Sequence, residues 1–387
     1  MIEAETNSEF EVGELLSMID SGGPVLLLDV RNEEEQRAWP LEGRRPVKTI
    51  HLPYFEFIEA PDVATAKVPR YPGPIAVLCA KGGSSELVAA LLRESGKPAR
   101  NVAGGMVAYG EYLSPVQVPL DEGAASRFEI WQINRRGKGC LSYVVRAGGQ
   151  AAVIDPSRRI DFYHAFVEGL GARIVWVVDT HIHADHVSGG AALARRAGAE
   201  YFVPTTETVA TSHDTRRLSD GTVLQIGTSG ISAEVLTTPG HTPESVCYLF
   251  AERYLFTGDT LFSDGIGRPD LGGHVEEWGR ALYRSLHERL LGLSDRTLVL
   301  PAHYAGAVAI NPDGTVTERL QKLRQRIPEL QLRGQDEFIQ ALTSQMKPPP
   351  RHYQEIVKVN LGAAVALEEQ VCEWELGRNQ CAAGPVA

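Results

Sequence analysis

The sequence predicts two α/β units in series. Three observations carry this. Over roughly the first 115 residues, short apolar runs alternate with helix-patterned stretches. Residues 114–127 interrupt that pattern with Pro115, Pro119, Gly123 and mostly small or polar neighbours, as a linker would. From Phe128 a second series of strand-like runs begins, and several of them lead into histidine or aspartate.

The elements follow in order. Residues 25–29 and 75–78 are apolar enough to be buried strands. Residues 85–93 have helical spacing, with Leu87, Ala90, Leu91 and Leu92 on the expected apolar face. In the second unit, residues 141–145 and 152–155 read as a strand pair joined by Gly148-Gly149. Further strands are expected at 174–178, 223–226, 231–237, 246–250 and 297–300, and helices at 161–170, 190–197 and 274–291. After about residue 315 the pattern is helical, interrupted at Pro348-Pro349-Pro350. The expected domains are therefore 1–113, a linker at 114–127, a second domain over 128–370 that includes the C-terminal helices, and a tail at 371–387.

Composition narrows the functional classes. A chain of 387 residues, 43% hydrophobic and 22% charged, has material for two or three globular cores. A net charge of −11 argues against non-specific nucleic-acid binding and against docking on an anionic membrane. Residues 1–9 lack the basic and apolar regions of a signal peptide, and no apolar run reaches the roughly 18 residues of a membrane span. Five cysteines, at 79, 140, 247, 372 and 381, are scattered and odd in number. They suggest no disulfide framework and fit a reducing, cytoplasmic setting. Cys140, Cys247, Cys372 and Cys381 have no local setting that points to chemistry.

Residues 180–190 read Thr-His-Ile-His-Ala-Asp-His-Val-Ser-Gly-Gly. His181, His183, Asp185 and His186 can fill much of a metal's coordination shell. They follow the 174–178 strand, so they sit on the loop leaving its end. His241, Asp259 and His303 each follow a strand-like run in the same way. Loops leaving one edge of a sandwich can converge on one cleft.

In this order and with these flanks, the seven positions resemble the metallo-β-lactamase superfamily over about residues 128–306. The resemblance implies an αβ/βα sandwich with a metal cleft along one edge, here carrying a helical C-terminal extension. Gly265-Ile266-Gly267-Arg268-Pro269-Asp270 and the segment Pro350-Arg351-His352-Tyr353-Gln354-Glu355-Ile356-Val357-Lys358-Val359-Asn360 are similar to the persulfide (sulfur) dioxygenases of that superfamily. That resemblance implies one Fe(II) per chain held by His181, His241 and Asp259, a face that leaves positions for O2 and a sulfur substrate. His183, Asp185, His186 and His303 then become outer groups or ligands of a second metal. Arg268 and Asp270 are substrate-binding candidates, and a salt bridge between them that braces the loop is the alternative. Nothing in the ligand set forbids zinc or a second ion.

In the first unit, Cys79-Ala80-Lys81-Gly82-Gly83-Ser84-Ser85 joins a strand to a helix. Small residues there let backbone N–H groups point inward as an anion cradle, and with Lys81 nearby they favour a thiolate. Together with Asp29-Val30-Arg31, His51-Leu52-Pro53 and Ala103-Gly104-Gly105-Met106, this loop resembles the rhodanese domains over about residues 8–113. The resemblance implies that Cys79 carries a persulfide sulfur, cradled by Ala80, Lys81, Gly82, Gly83, Ser84 and Ser85. Lys81 is the only cation in the loop, where many rhodaneses place an arginine.

The expected function is oxidation of a small thiol persulfide, such as glutathione persulfide, by O2 to sulfite and free thiol. Sulfur transfer through Cys79 would be coupled to it, with thiosulfate or sulfite as a further partner. The alternatives are a binuclear zinc thioester hydrolase of glyoxalase II type and a non-catalytic sulfur carrier or sensor. The helical C-terminal region offers an interface for a homo-oligomer.

Overall fold

A computed structural model describes residues 8–207, 209–216, 218–344, 349–380 and 382–383. Pro348 and Cys381 lie outside the described residues. The chain forms two compact units. One comprises the residues up to Ser114 with Arg135–Lys138 and Leu376–Arg378, and the other comprises the remainder.

The first unit holds a parallel sheet of five strands, ordered Glu9–Phe10, Ala99–Val102, Ile75–Leu78, Leu26–Asp29, Lys48–His51. Helices cover both faces, which is why Ile75–Leu78 and residues 26–28 read as unbroken apolar runs. Leu27, Ala76, Leu78 and Val102 pack on one face with Leu15, Leu16, Ile19 and Met106. Leu26, Leu28, Ile75 and Val77 pack on the other with Phe57, Val88, Ala89 and Leu92. Each fully buried Val, Leu, Ile, Phe or Met among them contributes about 1.5–3 kcal/mol. The helix after the cysteine loop runs Gly83–Glu94. Its buried face is Ser85, Val88, Ala89 and Leu92, whereas Leu87 is exposed. Of the expected face, Leu92 lies in this core and Leu91 packs partly buried against it. Positions 85, 88, 89 and 92 keep the i, i+3, i+4, i+7 spacing of a core stripe, Leu91 packs at its margin, and Leu87 lies off it.

The second unit is a sandwich of two six-stranded sheets. One is ordered Glu200–Phe202, Arg173–Val178, Gln150–Ile154, Cys140–Ala147, Glu129–Arg135, Leu113–Gln117. The other is ordered Val223–Gln225, Ser232–Thr237, Val246–Phe250, Tyr254–Gly258, Leu298–Pro301, Glu318–Arg319. Tyr143, Val145, Trp176 and Val178 meet Val235, Tyr248, Phe250 and Phe256 between the sheets. The alternate residues of the second sheet, Leu236, Cys247, Leu249 and Leu255, face Leu282, Leu286, Leu320 and Phe338 of the covering helices. The Gly148-Gly149 turn joins Cys140–Ala147 to Gln150–Ile154 with φ of 55° and 73°, values that glycine adopts without strain.

Two boundaries differ from expectation. Residues 114–127 are not a linker: Leu113–Gln117 is a strand and Glu122–Ala125 a short helix. Pro115 is tolerated because that strand is the edge of its sheet, where a missing N–H costs nothing. The expected tail begins inside helix Glu368–Trp374, and Glu375 beyond it is buried. No helix among the described residues is long and apolar enough to cross a membrane.

Candidate metal centre and cysteine loop

The metal-type residues leave strands at one end of the sandwich. Arg173–Val178 leads to His181, Ser232–Thr237 to His241, Tyr254–Gly258 to Asp259 and Leu298–Pro301 to His303. Close approach at this edge demands glycine. A Cβ on Gly258, whose φ is 51°, would lie 2.4 Å from Thr180 Oγ1, and one on Gly267 would lie 2.0 Å from the Asp259 carbonyl oxygen.

All seven positions are buried, but they divide into three groups. His181, His241 and Asp259 form the first. Asp259 Oδ2 lies 3.7 Å from His181 Nε2 and 3.5 Å from His241 Nε2, and none of the three atoms has a hydrogen-bond partner. Their protonation follows from their neighbours. His241 Nδ1 lies 2.9 Å from the Arg268 carbonyl, which can only accept, so Nδ1 carries the proton. Thr180 donates its hydroxyl hydrogen to Asp155 Oδ2 and therefore accepts from His181 Nδ1 at 2.9 Å. Both Nε2 atoms thus present lone pairs. Burial, foremost, pushes both imidazoles below their ordinary value and keeps them neutral. Two nitrogen lone pairs and a carboxylate oxygen facing one another with no hydrogen between them fit a cation. The spacing is that of ligands about 2.1 Å from a shared ion.

The second group is Asp185, His186, His303 and Cys140. His303 Nδ1 lies 2.5 Å from Asp259 Oδ1, and its Nε2 lies 2.9 Å from Asp185 Oδ2, close enough to pair though not aligned as a hydrogen bond. Burial opposes charge on His303, but the two carboxylates outweigh it and hold the ring well above its ordinary value. Burial likewise opposes charge on His186, yet Asp185, 2.9 Å from its Nδ1, raises it to about 10. Cys140 donates to Asp185 Oδ2 at 3.2 Å. Its role was missed from sequence because 45 residues separate it from Asp185.

His183 belongs to the third group, with Asp155 and Asp179. Its Nε2 lies 3.2 Å from Asp155 Oδ1, and its Nδ1 has no hydrogen-bond partner. Asp155 also accepts from Thr180 N at 2.6 Å, and its φ of 51° is unusual for a residue with a side chain. A sequence signal existed: Asp155 ends a buried strand, as Asp259 does. Arg268 is buried and pairs with Asp270 through two contacts of 2.7 and 2.6 Å. The bracing arrangement is thus present, and it fixes the carbonyl that orients His241.

In the first unit, Cys79 follows its strand as expected and is 7% exposed. Its Sγ accepts from Gly82 N and faces Ser85 Oγ, each at 3.1 Å. Ser85 Oγ also lies 2.7 Å from Asn101 Oδ1. Gly82 adopts a left-handed φ of 94°, which turns its N–H toward the sulfur. Ala80 and Ser84 are half-buried, while Gly83 and Lys81 are exposed. Met106 N and Val107 N donate to the carbonyls of Cys79 and Ala80. A Cβ on Gly105 would lie 2.3 Å from the Cys79 carbonyl oxygen, and one on Gly104, whose φ is 66°, would lie 2.8 Å from Ala108 Cβ. Arg31 is a brace, paired within the core to Asp29 at 2.7 Å.

Both parts of the chain are similar to known proteins. Residues 135–303 match the metallo-beta-lactamase superfamily model and residues 11–112 the rhodanese-like domain model. A hydroxyacylglutathione hydrolase of Anaeromyxobacter dehalogenans is 33% identical over 48% of this chain and 71% of its own length. Another, from Acidiphilium cryptum, is 33% identical and is matched over only 63% of its length. The mitochondrial persulfide dioxygenase ETHE1 of Bos taurus is 28% identical over 57% of this chain and 82% of its own. The crystal structure of ETHE1 from Myxococcus xanthus superposes with a TM-score of 0.51 at 29% identity, covering 58% of this chain and 95% of that one. The chain therefore belongs to the metallo-beta-lactamase superfamily and joins to that fold an N-terminal rhodanese-like domain.

Proposed function

We propose that the protein oxidises a low-molecular-weight thiol persulfide with O2. The observation that carries this is the first group: three buried, unpartnered ligand atoms of two histidines and one aspartate. A 2-His-1-carboxylate set suits iron(II) and leaves positions open beside it. The likeness to proteins named persulfide dioxygenases points to the substrate class. The overall reaction is R–S–SH + O2 + H2O giving R–SH, sulfite and two protons.

His181, His241 and Asp259 would hold the metal. When bound, iron(II) supplies the redox chemistry that lets O2 react with a sulfur atom. The chain's own residues do the rest. Thr180 and the Arg268 carbonyl hold the two imidazoles in the tautomer that exposes Nε2. His303 engages Asp259 Oδ1 and leaves Oδ2 to the metal side. Burial of the whole set excludes bulk water. In the first unit, Cys79 would carry a sulfane sulfur as a persulfide, with the Gly82 N–H stabilising the anionic sulfur. Arg268 and Asp270 would form one wall of the substrate site, in a cytoplasmic enzyme.

The test is O2 uptake by the iron-loaded protein with glutathione persulfide, read together with elemental analysis. One iron per chain and persulfide-dependent uptake support the reading. No uptake with any of several thiol persulfides would end it.

The second group favours one rival reading. Cys140, Asp185, His186 and His303 could hold another ion, and relatives at 33% identity are named hydroxyacylglutathione hydrolases. That rival requires two zinc ions per chain and hydrolysis of S-lactoylglutathione without O2.

A further inference from the structure

The loop that carries His183, Asp185 and His186 is held by residues far along the chain. Asn360 ends helix Tyr353–Asn360 and is buried. Its Nδ2 donates to the carbonyls of His183 and His186, at 2.8 Å each. Its Oδ1 accepts from Ser188 N, also at 2.8 Å. Both amide hydrogens and the amide oxygen are thus spent on one loop. The helix end is itself tied down. His213 Nε2 lies 3.1 Å from the Asn360 carbonyl, and Ser212 N donates to the Leu361 carbonyl at 3.0 Å. Glu375, just past helix Glu368–Trp374, is 3% exposed, and its Oε1 accepts from Val187 N at 2.8 Å. Its other oxygen lies 3.5 Å from Arg158 Nε.

We infer that Asn360 and Glu375 are positioning residues for the metal centre: the C-terminal helices fix the path of loop 183–188 and, through it, the ligand Asp259. The connection is continuous. The loop backbone places Asp185, whose Oδ2 lies 2.9 Å from His303 Nε2, and His303 Nδ1 lies 2.5 Å from Asp259 Oδ1. Buried loop carbonyls and N–H groups need partners, and here one asparagine and one glutamate supply them. Neither residue reaches the three unpartnered ligand atoms, so the effect is on where the ligands stand. The inference rests on the metal reading above for its affinity measurement alone.

The experiment uses the full-length chain and three variants, Asn360→Ala, the isosteric Asn360→Asp and Glu375→Ala. Cobalt(II) affinity is measured by chelator competition, with the visible spectrum of the bound ion. Amide exchange of residues 181–188 and the Tm are recorded on metal-free protein. The expected result is a Kd raised about 10–100-fold in Asn360→Asp, a changed cobalt spectrum and faster exchange confined to 181–188. Glu375→Ala shifts the same readouts in the same direction. A role in stability alone would lower the Tm and leave Kd and spectrum unchanged, and that result overturns the inference. If the unaltered chain takes up no metal, the proposed function fails, while exchange at 181–188 still decides this one.

Discussion

His303 stands between two carboxylates, with Nδ1 2.5 Å from Asp259 Oδ1 and Nε2 2.9 Å from Asp185 Oδ2. One protonated ring thus neutralises part of the charge of two buried acids. Removing it in His303→Ala takes the hydrogen-bonded ring from Asp259 and leaves Asp185 with His186 and Cys140 alone. Metal-free His303→Ala should lose about 3–5 kcal/mol of stability, measured by urea unfolding. A loss below about 1 kcal/mol would show that the ring is not charged in this network.

The grouping separates two histidines that sequence spacing treats alike. His181 Nε2 has no partner and faces Asp259, whereas His183 Nε2 is turned to Asp155. His181→Ala and His241→Ala should abolish metal retention, read by elemental analysis after gel filtration. His183→Ala should retain metal with affinity lowered about 10–100-fold, the usual cost of an outer group. Equal loss in all three would show that His183 is itself a ligand.

Acid should release the metal late. Burial pushes His181 and His241 below the ordinary value of 6.5, so protons compete for their Nε2 atoms only at lower pH. A ligand histidine of ordinary basicity would lose metal affinity as pH falls through about 6.5. Here chelator competition should give a nearly flat affinity from pH 7.5 down to about 6. A steep fall across that range would contradict the neutral, buried imidazoles.

The two units should be separable by chemistry. Cys79→Ser should gain no sulfur after exposure to thiosulfate, whereas the unaltered chain gains one sulfur atom per Cys79, read by intact mass. The metal content of Cys79→Ser should stay unchanged. Sulfur found on another cysteine would remove Cys79 from its assigned role.

Much of the fold was legible because it lies in local pattern. Ile75–Leu78, Val246–Phe250 and Gly190–Ala197 stand where periodicity places them. The stretch 114–127 misled because Pro115 looks like a breaker, and only sheet order shows that an edge strand tolerates it. The helix Gly83–Glu94 was visible, but its face was not, since Leu87 is as apolar as Leu92 and yet points to solvent. The seven metal-type residues were legible as a set. Their division was not, because it depends on which way each ring turns. Cys140 and Asn360 were invisible as site residues because their partners lie 45 and 177 positions away.

The tie between Asn360 and His183 spans 177 residues, and this sets an order of events during synthesis. At about 5–20 residues per second, Asn360 follows His183 out of the ribosome by roughly 10–35 seconds. For that interval the nascent chain carries every metal-type residue through His186 but not the amide that fixes their loop. The centre is therefore a late product of translation. A messenger truncated between the codons of His186 and Asn360 would encode the whole 181–186 motif yet leave it untethered.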